Sequence, residues 1–582
     1  MIVFHGLFCH GEPARRVSPL NQISVNQHRT ASRALLFALA SLFLVVSMGL
    51  GVGQMGGSLG TTPARNLAAF CFLDSILLAG AALVRAPESG GVADSITGLR
   101  TAEAESPGSR WILSGILLLS VAVRLPGLDS QIWLDEIVTL VNYLRLPWYE
   151  VLSSYDSANQ HLLYSVLGSI SIRLFGEHFW SMRLPALLFG VASIWALDWM
   201  GRKVTSRRES LLAAALMALS YHHIWFSQSA RGYSAMVFFT CLGTGLFLEG
   251  VRANRTRTWM AYAFTMALGV MALQNTAFVA VGHLAAWITV LLVRRPEASV
   301  ARTITFRILG TMALAAYLSV HAHALILHQV VEFFRSTDRT GMGWTTVAGF
   351  VPVVTTGLQA GLGTLGLLLL FTLGVIAFGS YASQSLLFAL AAVSPALFNI
   401  AALILLRTGA YPRSFLYTLP FALLFAIRGA ETIEAFIRKS LGQKPGRYRI
   451  PAFAFLLIVL SMLPLPRLYR YPRQDYLGAL NWIRERSRPG DSVAAVGLAA
   501  TAYRSYYAPE LDFPASPAEL HAIEAGSQRV WVIYTFSRDM RIRFSNLLDD
   551  LESRYEDSMS FRGTVGDGTV HVMKWTAEPS HE

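Results

Sequence analysis

The chain has 582 residues, 53% of them hydrophobic and only 14% charged, and its mean hydropathy is +0.45. That balance excludes both a soluble globular protein and a disordered one, and points to a polytopic membrane protein. The formal charge of +12 is not the mark of a nucleic-acid binder, because arginine and lysine cluster in short segments between apolar runs, where they act as topology signals.

The first 32 residues are polar and mildly basic, with Arg15, Arg16 and Arg29 preceding the first apolar run, which reads as a retained helix rather than a cleaved signal peptide. With about 20 apolar residues needed per crossing, thirteen candidate spans follow in chain order: 34–53, 66–84, 109–126, 183–201, 209–227, 232–251, 259–274, 277–293, 305–327, 347–378, 384–406, 414–430 and 450–466. Segment 347–378 is too long for one straight helix and rich in glycine, so a break or re-entrant piece is expected there. His161 to Phe175 is apolar but short and interrupted by Arg173, and reads as a juxtamembrane helix on the outer face. Cys9, Cys71 and Cys241 fall in the tail and in two apolar helices, which suggests neither a disulfide framework nor a zinc site.

Four basic clusters fall on one side if the spans alternate: Arg202 to Arg208, Arg252 to Arg257, Arg294 to Arg307, and Arg428 to Arg449. The positive-inside rule makes that side cytoplasmic. The opposite side then carries the acidic loop 127–182, the turn around Arg231, segments 328–346 and 407–413, and the chain beyond about 467. This tail reads as a small α/β domain: a helix from Tyr476 to Arg486, a turn at Pro489-Gly490-Asp491, strands at Ser492–Val496, Arg529–Phe536 and Thr569–Trp575, and a helix from Phe544 to Tyr555. The organisation is thus 1–107, a cytoplasmic tail with two extra spans; 108–467, a membrane domain with outer loop 127–182; and 472–582, an extracytoplasmic α/β domain.

Polar residues converge on the outer face. Asp135-Glu136 follows the span at 109–126, and two adjacent carboxylates at a membrane surface need water, a cation or a substrate. Asn159 and His161 open the juxtamembrane helix, Arg183 opens the next span, Gln228, Arg231 and Tyr233 lie in one short turn, and Arg413 precedes another span. Each has a bland reading: a solvated loop pair, snorkelling arginines, a helix-capping histidine, an aromatic-belt tyrosine. Arg231 resists it, being on the side the positive-inside rule disfavours in a turn too short to carry it away from the membrane. A buried phosphate would explain it, since the guanidinium fork donates bidentate hydrogen bonds to phosphate oxygens. Carboxylates for an attacking hydroxyl and arginines for a phosphate leaving group suggest chemistry on an anionic lipid headgroup.

In Arg124-Leu125-Pro126-Gly127 through Trp133-Leu134-Asp135-Glu136, His161-Leu162-Leu163-Tyr164, Leu174-Phe175-Gly176 with Arg183-Leu184-Pro185, Ala230-Arg231-Gly232-Tyr233, and Arg413 with Pro420, the chain resembles the GT-C superfamily of polytopic glycosyltransferases. It is most similar to the bacterial branch related to protein O-mannosyltransferases and the lipid A aminoarabinose transferase. The resemblance implies an α-helical membrane domain of about 13 spans with a small extracytoplasmic α/β domain, in a bacterial inner membrane. It implies transfer of a sugar from a polyprenyl-phosphate monosaccharide to a hydroxyl of a glycan, lipid or protein on the outer side, with inversion, and no nucleic-acid partner. Asp135 and Glu136 would be catalytic, Arg231, Arg183 and Arg413 would bind the donor phosphate, and His161, Asn159, Gln228 and Tyr233 would position donor and acceptor. Gln160 stands where the aminoarabinose transferase pattern has an acid or lysine, which argues against a metal site of that kind, while a divalent ion held by Asp135, Glu136 and His161 is still compatible. The rival classes are a transporter or flippase of lipid-linked sugars and a non-catalytic binder; against the former, the sequence shows no internal repeat.

Overall fold

The computed structural model of the chain describes residues 41–42, 44–48, 67–72, 74, 97–100, 107–336, 347–406, 411–442 and 452–577. The chain divides into two units, Met1–Glu88 with Ala324–His328, and Ser89–His323 with Gln329–Glu582. In the first, two helical stretches are tied by the Ser47 hydroxyl, which donates to the Ala68 carbonyl at 2.7 Å. The expected spans 34–53 and 66–84 lie largely outside the described residues.

The second unit is a helical bundle capped by a sheet domain. The helices that matter here are α1 (Pro107–Ala122), α2 (Leu134–Thr139), α3 (Leu162–Phe175), α4 (Phe179–Gly201), α5 (Arg207–Leu219), α6 (Tyr221–Ser227), α7 (Tyr233–Ala253), α8 (Thr256–Ala272), α9 (Ala277–Arg294), α10 (Ala298–Ala322), α11 (Val347–Gln384), α12 (Leu386–Leu406) and α13 (Leu419–Ser440). Eight helical segments among the described residues are long and apolar enough to cross a bilayer. Three others expected within the described residues are shorter. The run 209–227 is broken at Ser220, whose extended backbone ends α5 and starts α6. Residues 259–274 fall in α8, of 17 residues, and 450–466 yields an 11-residue helix. The break expected in 347–378 is at Gly363, whose φ of 64° and ψ of 171° interrupt α11 in a region that suits glycine. Helix α3, 14 residues or about 21 Å long, is too short to cross about 30 Å of hydrocarbon.

Local chemistry sets the helix ends near the site. Pro185 inside α4 has no N–H for the Ser181 carbonyl. The Ser171 hydroxyl of α3 fills that place at 2.6 Å, and Tyr164 Oη donates to the next carbonyl, of Met182, at 2.6 Å. Arg124 closes two helices at once, donating through Nη1 to Ser120 of α1 at 2.8 Å and Ala218 of α5 at 3.0 Å. Its cation thus sits where two helix C-termini present negative ends. At the opposite end of the bundle Asp198, fully buried, pairs with Arg207 and with Arg202 at 3.3 Å, and Arg428 of α13 pairs with Glu209 at 2.8 Å. The basic residues after α4 and at the end of α7 lie together, with Lys203 pairing Glu249 at 3.3 Å.

The sheet domain has helix Tyr476–Arg484 and strands β1 (Asp491–Ala495), β2 (Arg529–Thr535), β3 (Glu556–Phe561) and β4 (Val570–Thr576) in the order β1-β2-β4-β3. β1 and β2 are parallel, with Asp491 opposite Arg529; β4 is antiparallel to both β2 and β3. The domain shares its core with the first loop: Ile132, Leu134, Ile137 and Leu140 pack with Tyr476, Tyr503, Trp531 and Val572. Specific bonds reinforce this. Tyr507 Oη donates to the Ile132 carbonyl at 2.6 Å, Gln131 Nε2 to Asp475 at 2.7 Å, and Leu134 N to Gln474 Oε1 at 3.1 Å. The loop carrying the acidic pair is thus held between bundle and sheet, on the face opposite the basic clusters.

Candidate active site

The two adjacent carboxylates have opposite fates. Trp133, in extended conformation, precedes α2, so Asp135 and Glu136 occupy its first turn and point about 100° apart around the helix axis. Glu136 is completely buried. Its Oε1 and Oε2 accept from Arg183 Nε and Nη2 at 2.9 and 2.6 Å, and both accept from Arg473 Nη1 at 3.2 Å. The Ala230 N–H adds a bond at 2.7 Å. Burial alone would raise this carboxyl, but the Arg183 and Arg473 charges and these hydrogen bonds outweigh it and hold the pKa down to about 2. Burial brings the Arg473 guanidinium down to about 10 against the pull of Glu136. Arg473 also donates to the Trp225 and Gln228 carbonyls and lies over the Trp225 ring at 4.8 Å.

This knot joins α2, α4, the 228–231 turn and the segment leading into the sheet domain. Arg183 is fully engaged, since Nη1 also donates to the Leu128 and Ser130 carbonyls at 2.8 and 2.7 Å. Two sequence expectations are revised here. Arg183 has no donor facing a ligand, and Gln228, 2% exposed, donates its amide to the Arg124 carbonyl at 2.7 Å and positions backbone rather than substrate.

Asp135 faces the other way, with 15% of its side chain exposed. Its Oδ2 lies 3.0 Å from Arg413 Nη1 and 3.8 Å from Arg231 Nη1. Arg413 comes from the 3-10 turn Pro412–Thr418, stacks over Tyr411 at 4.7 Å, and is one-third exposed. Arg231 is almost wholly buried, donates to Asn159 Oδ1, and has no partner for its Nε among the described residues.

His161 completes the group. Its Nδ1 accepts from the Gly232 N–H at 2.8 Å, and Tyr233 packs edge-on against it at 5.2 Å. Only glycine fits at 232: a Cβ there would sit 2.2 Å from the Ala272 carbonyl oxygen and 3.0 Å from His161 Nδ1. Burial, with the Arg231 and Arg413 charges, holds the imidazole pKa well below its ordinary value, so the ring is neutral. With Nδ1 accepting, its proton is on Nε2, which faces Arg231 Nη2 at 3.1 Å. Two N–H donors meet there, an arrangement that an anionic oxygen would satisfy. Asp135, Asn159, His161, Arg231, Tyr233 and Arg413 are thus brought together, and the pair of arginines against one carboxylate leaves a net charge of +1.

The metal set Asp135, Glu136 and His161 does not fit a divalent ion. Both Glu136 oxygens face arginines, His161 Nδ1 holds a backbone N–H, and its other nitrogen meets a guanidinium. Among the described residues no group of three or more His, Cys, Asp or Glu is placed to hold a metal.

A bundle of apolar spans, with an acidic loop and arginines gathered at one end under a sheet domain, defines a polar candidate site at one end of a membrane protein. Residues 160–323 match the family model described as dolichyl-phosphate-mannose-protein mannosyltransferase. That match covers part of the bundle and agrees with the resemblance read in the sequence, and the apolar helices make the chain a multi-pass membrane protein. A comparison with curated proteins gave no significant match. Among solved structures, the oligosaccharyltransferase AglB from Archaeoglobus fulgidus, in complex with an inhibitory peptide and a dolichol-phosphate, aligns at 14% identity over 82% of this chain and 75% of that one, with a TM-score of 0.49. ArnT from Cupriavidus metallidurans, bound to undecaprenyl phosphate, aligns at 11% identity over 81% and 98%, with a TM-score of 0.42.

Proposed function

We propose that the chain transfers a sugar from a polyprenyl-phosphate monosaccharide to an acceptor hydroxyl, on the extracytoplasmic face of a bacterial inner membrane. The observation that carries this is the Asp135 carboxylate, partly exposed and facing Arg413 and Arg231, beside a Glu136 that is locked away. In this reading the donor phosphate enters between Arg231, Arg413 and the His161 Nε2–H. It takes the arginines from Asp135, whose carboxylate is then released to act as general base.

The acceptor O–H gives its proton to Asp135 while its oxygen attacks the anomeric carbon. The carbon–oxygen bond to phosphate breaks, and its electron pair leaves with a polyprenyl phosphate that the two arginines stabilise. Attack opposite the leaving group inverts the anomeric centre. Asn159 aims Arg231, Tyr233 supports His161, and Glu136 with Arg183 and Arg473 fixes the loop; these are positioning residues. No step runs through a metal. The family match over residues 160–323 supports the reaction class, and the shared core of loop and sheet domain supports a site covered from above.

The test is a transfer assay with purified protein in lipid, offered a panel of radiolabelled polyprenyl-phosphate monosaccharides, with and without chelator. Label should leave the donor with the wild type and not with Asp135→Asn, and chelator should leave the rate unchanged. Saturable donor binding without transfer of any label would replace the enzyme by a binder or transporter of lipid-linked sugars.

A further inference from the structure

At the other end of the bundle the described residues enclose a cleft of about 80 Å³ that the transfer reaction does not use. Arg100, Arg202, Lys203 and Arg252 line it with Glu249 and Trp199. Three elements build it: the turn after α4, the last turn of α7, and the short segment 97–100. The segment is fastened by backbone, with Arg100 N donating to the Lys203 carbonyl at 2.8 Å and Ser385 Oγ to the Thr97 carbonyl at 2.6 Å. Gly98 turns it at φ 61°, with no space for a Cβ beside the Gln384 carbonyl.

The cations are held in place rather than left to wander. Glu249 bridges Lys203 at 3.3 Å and Arg252 at 3.0 and 3.1 Å, and the Lys203 ammonium lies 4.3 Å over the Trp199 ring. Arg202 is oriented by Asp198 at 3.3 Å. The lining carries four cations and one carboxylate, +3 in all, and +2 once Asp198 is counted. The volume suits several waters at about 10–15 Å³ each, and hence a phosphate group.

Location narrows the ligand. From Arg183 in the candidate site to Gly201 at the end of α4, just before the cleft, is 18 residues, about 27 Å of helix and close to the hydrocarbon thickness of a bilayer. Trp199, amphipathic and half-buried, stands at that level. We propose that this cleft binds a phosphate group, presented by an anionic lipid of the leaflet at the basic end or by a soluble phosphate on that side. Basic recesses between spans are suited to lipid phosphates, and partial burial protects the contact from screening by salt. The proposal is independent of the chemistry at Asp135.

Full-length protein is placed in nanodiscs of neutral phosphatidylcholine, with phosphatidylglycerol mixed in, or with inorganic phosphate added to the neutral discs. Melting temperature and lipid retained in native mass spectrometry are read for the wild type, Arg100→Gln, Arg252→Gln and Arg252→Lys. Phosphatidylglycerol is expected to be retained and to raise the melting temperature. Each Gln variant should weaken its binding by about tenfold or more, with Arg252→Lys recovering part of the loss. Melting in neutral discs shows whether a variant has folded. Stabilisation by inorganic phosphate but not by the lipid would support the same site with a soluble ligand. If neither probe stabilises the wild type, or if the folded Gln variants respond as it does, the proposal is overturned.

Discussion

Glu136→Gln separates structure from chemistry in the acidic pair. Although burial alone would raise it, the Arg183 and Arg473 charges hold the Glu136 carboxyl down to about 2, below the usual carboxylate range. Removing one partner from a fully buried ion pair costs about 3–5 kcal/mol, because the other charge is left uncompensated. The substituted amide would keep an oxygen for the Ala230 N–H but leave Arg183 and Arg473 facing a neutral group. The variant should lose about 3 kcal/mol of stability, and the segment entering the sheet domain should become sensitive to protease. The same linkage sets a pH signature. Because the folded pKa is depressed, the stabilisation is present in full above the unfolded value, begins to fall below about pH 4.5, and is gone by about pH 2; Glu136→Gln should lack this component. The assay is unfolding in nanodiscs between about pH 3 and pH 7, with limited proteolysis around residue 473. A variant as stable as the wild type that nevertheless loses turnover would sink this structural role and return Glu136 to the reacting atoms.

Other expected outcomes concern the open side of the site and its cover. Arg231→Lys keeps the charge but loses the planar fork, and should lower kcat/KM for the donor by about 10²–10³, as loss of a preorganised donor to a developing anion does; Arg413→Ala should do the same, and an unchanged kcat/KM in either would remove that arginine from the phosphate. Gly232→Ala must displace the Ala272 carbonyl or the His161 ring, so steady-state turnover should fall even where thermal melting shows the protein folded. Tyr507→Phe removes the bond to Ile132 and should cost about 1 kcal/mol of stability in denaturant titration, since loop and sheet share one core.

Much of the architecture was legible because membrane spans and strands carry strong patterns. Glycine enrichment announced the break at Gly363, and turn residues and alternation located β1, β2 and β4. β3 was missed because Glu556–Phe561 is an edge strand whose apolar alternation is confined to Met559 and Phe561. The expected run 209–227 is apolar on average, and hydropathy does not report that Ser220 takes an extended backbone. In the site, Asp135, Asn159, His161, Arg231, Tyr233 and Arg413 were named from sequence and lie together. Arg183 and Gln228 were named with them because a structural polar side chain and a ligand-binding one look alike until their hydrogen bonds are seen. Arg473 escaped notice: it follows Arg467 and Arg470 as one more basic residue at a span end, and its partner Glu136 is 337 positions away.

Single-turnover transfer by Asp135→Asn on prebound donor bears on the proposed base without interference from binding or product release. The variant should bind the donor at least as tightly as the wild type, since Arg231 and Arg413 no longer face a carboxylate. Transfer to the acceptor should slow by about 10²–10⁴, the usual contribution of a general base. Wild-type transfer rates from Asp135→Asn would strip Asp135 of that role.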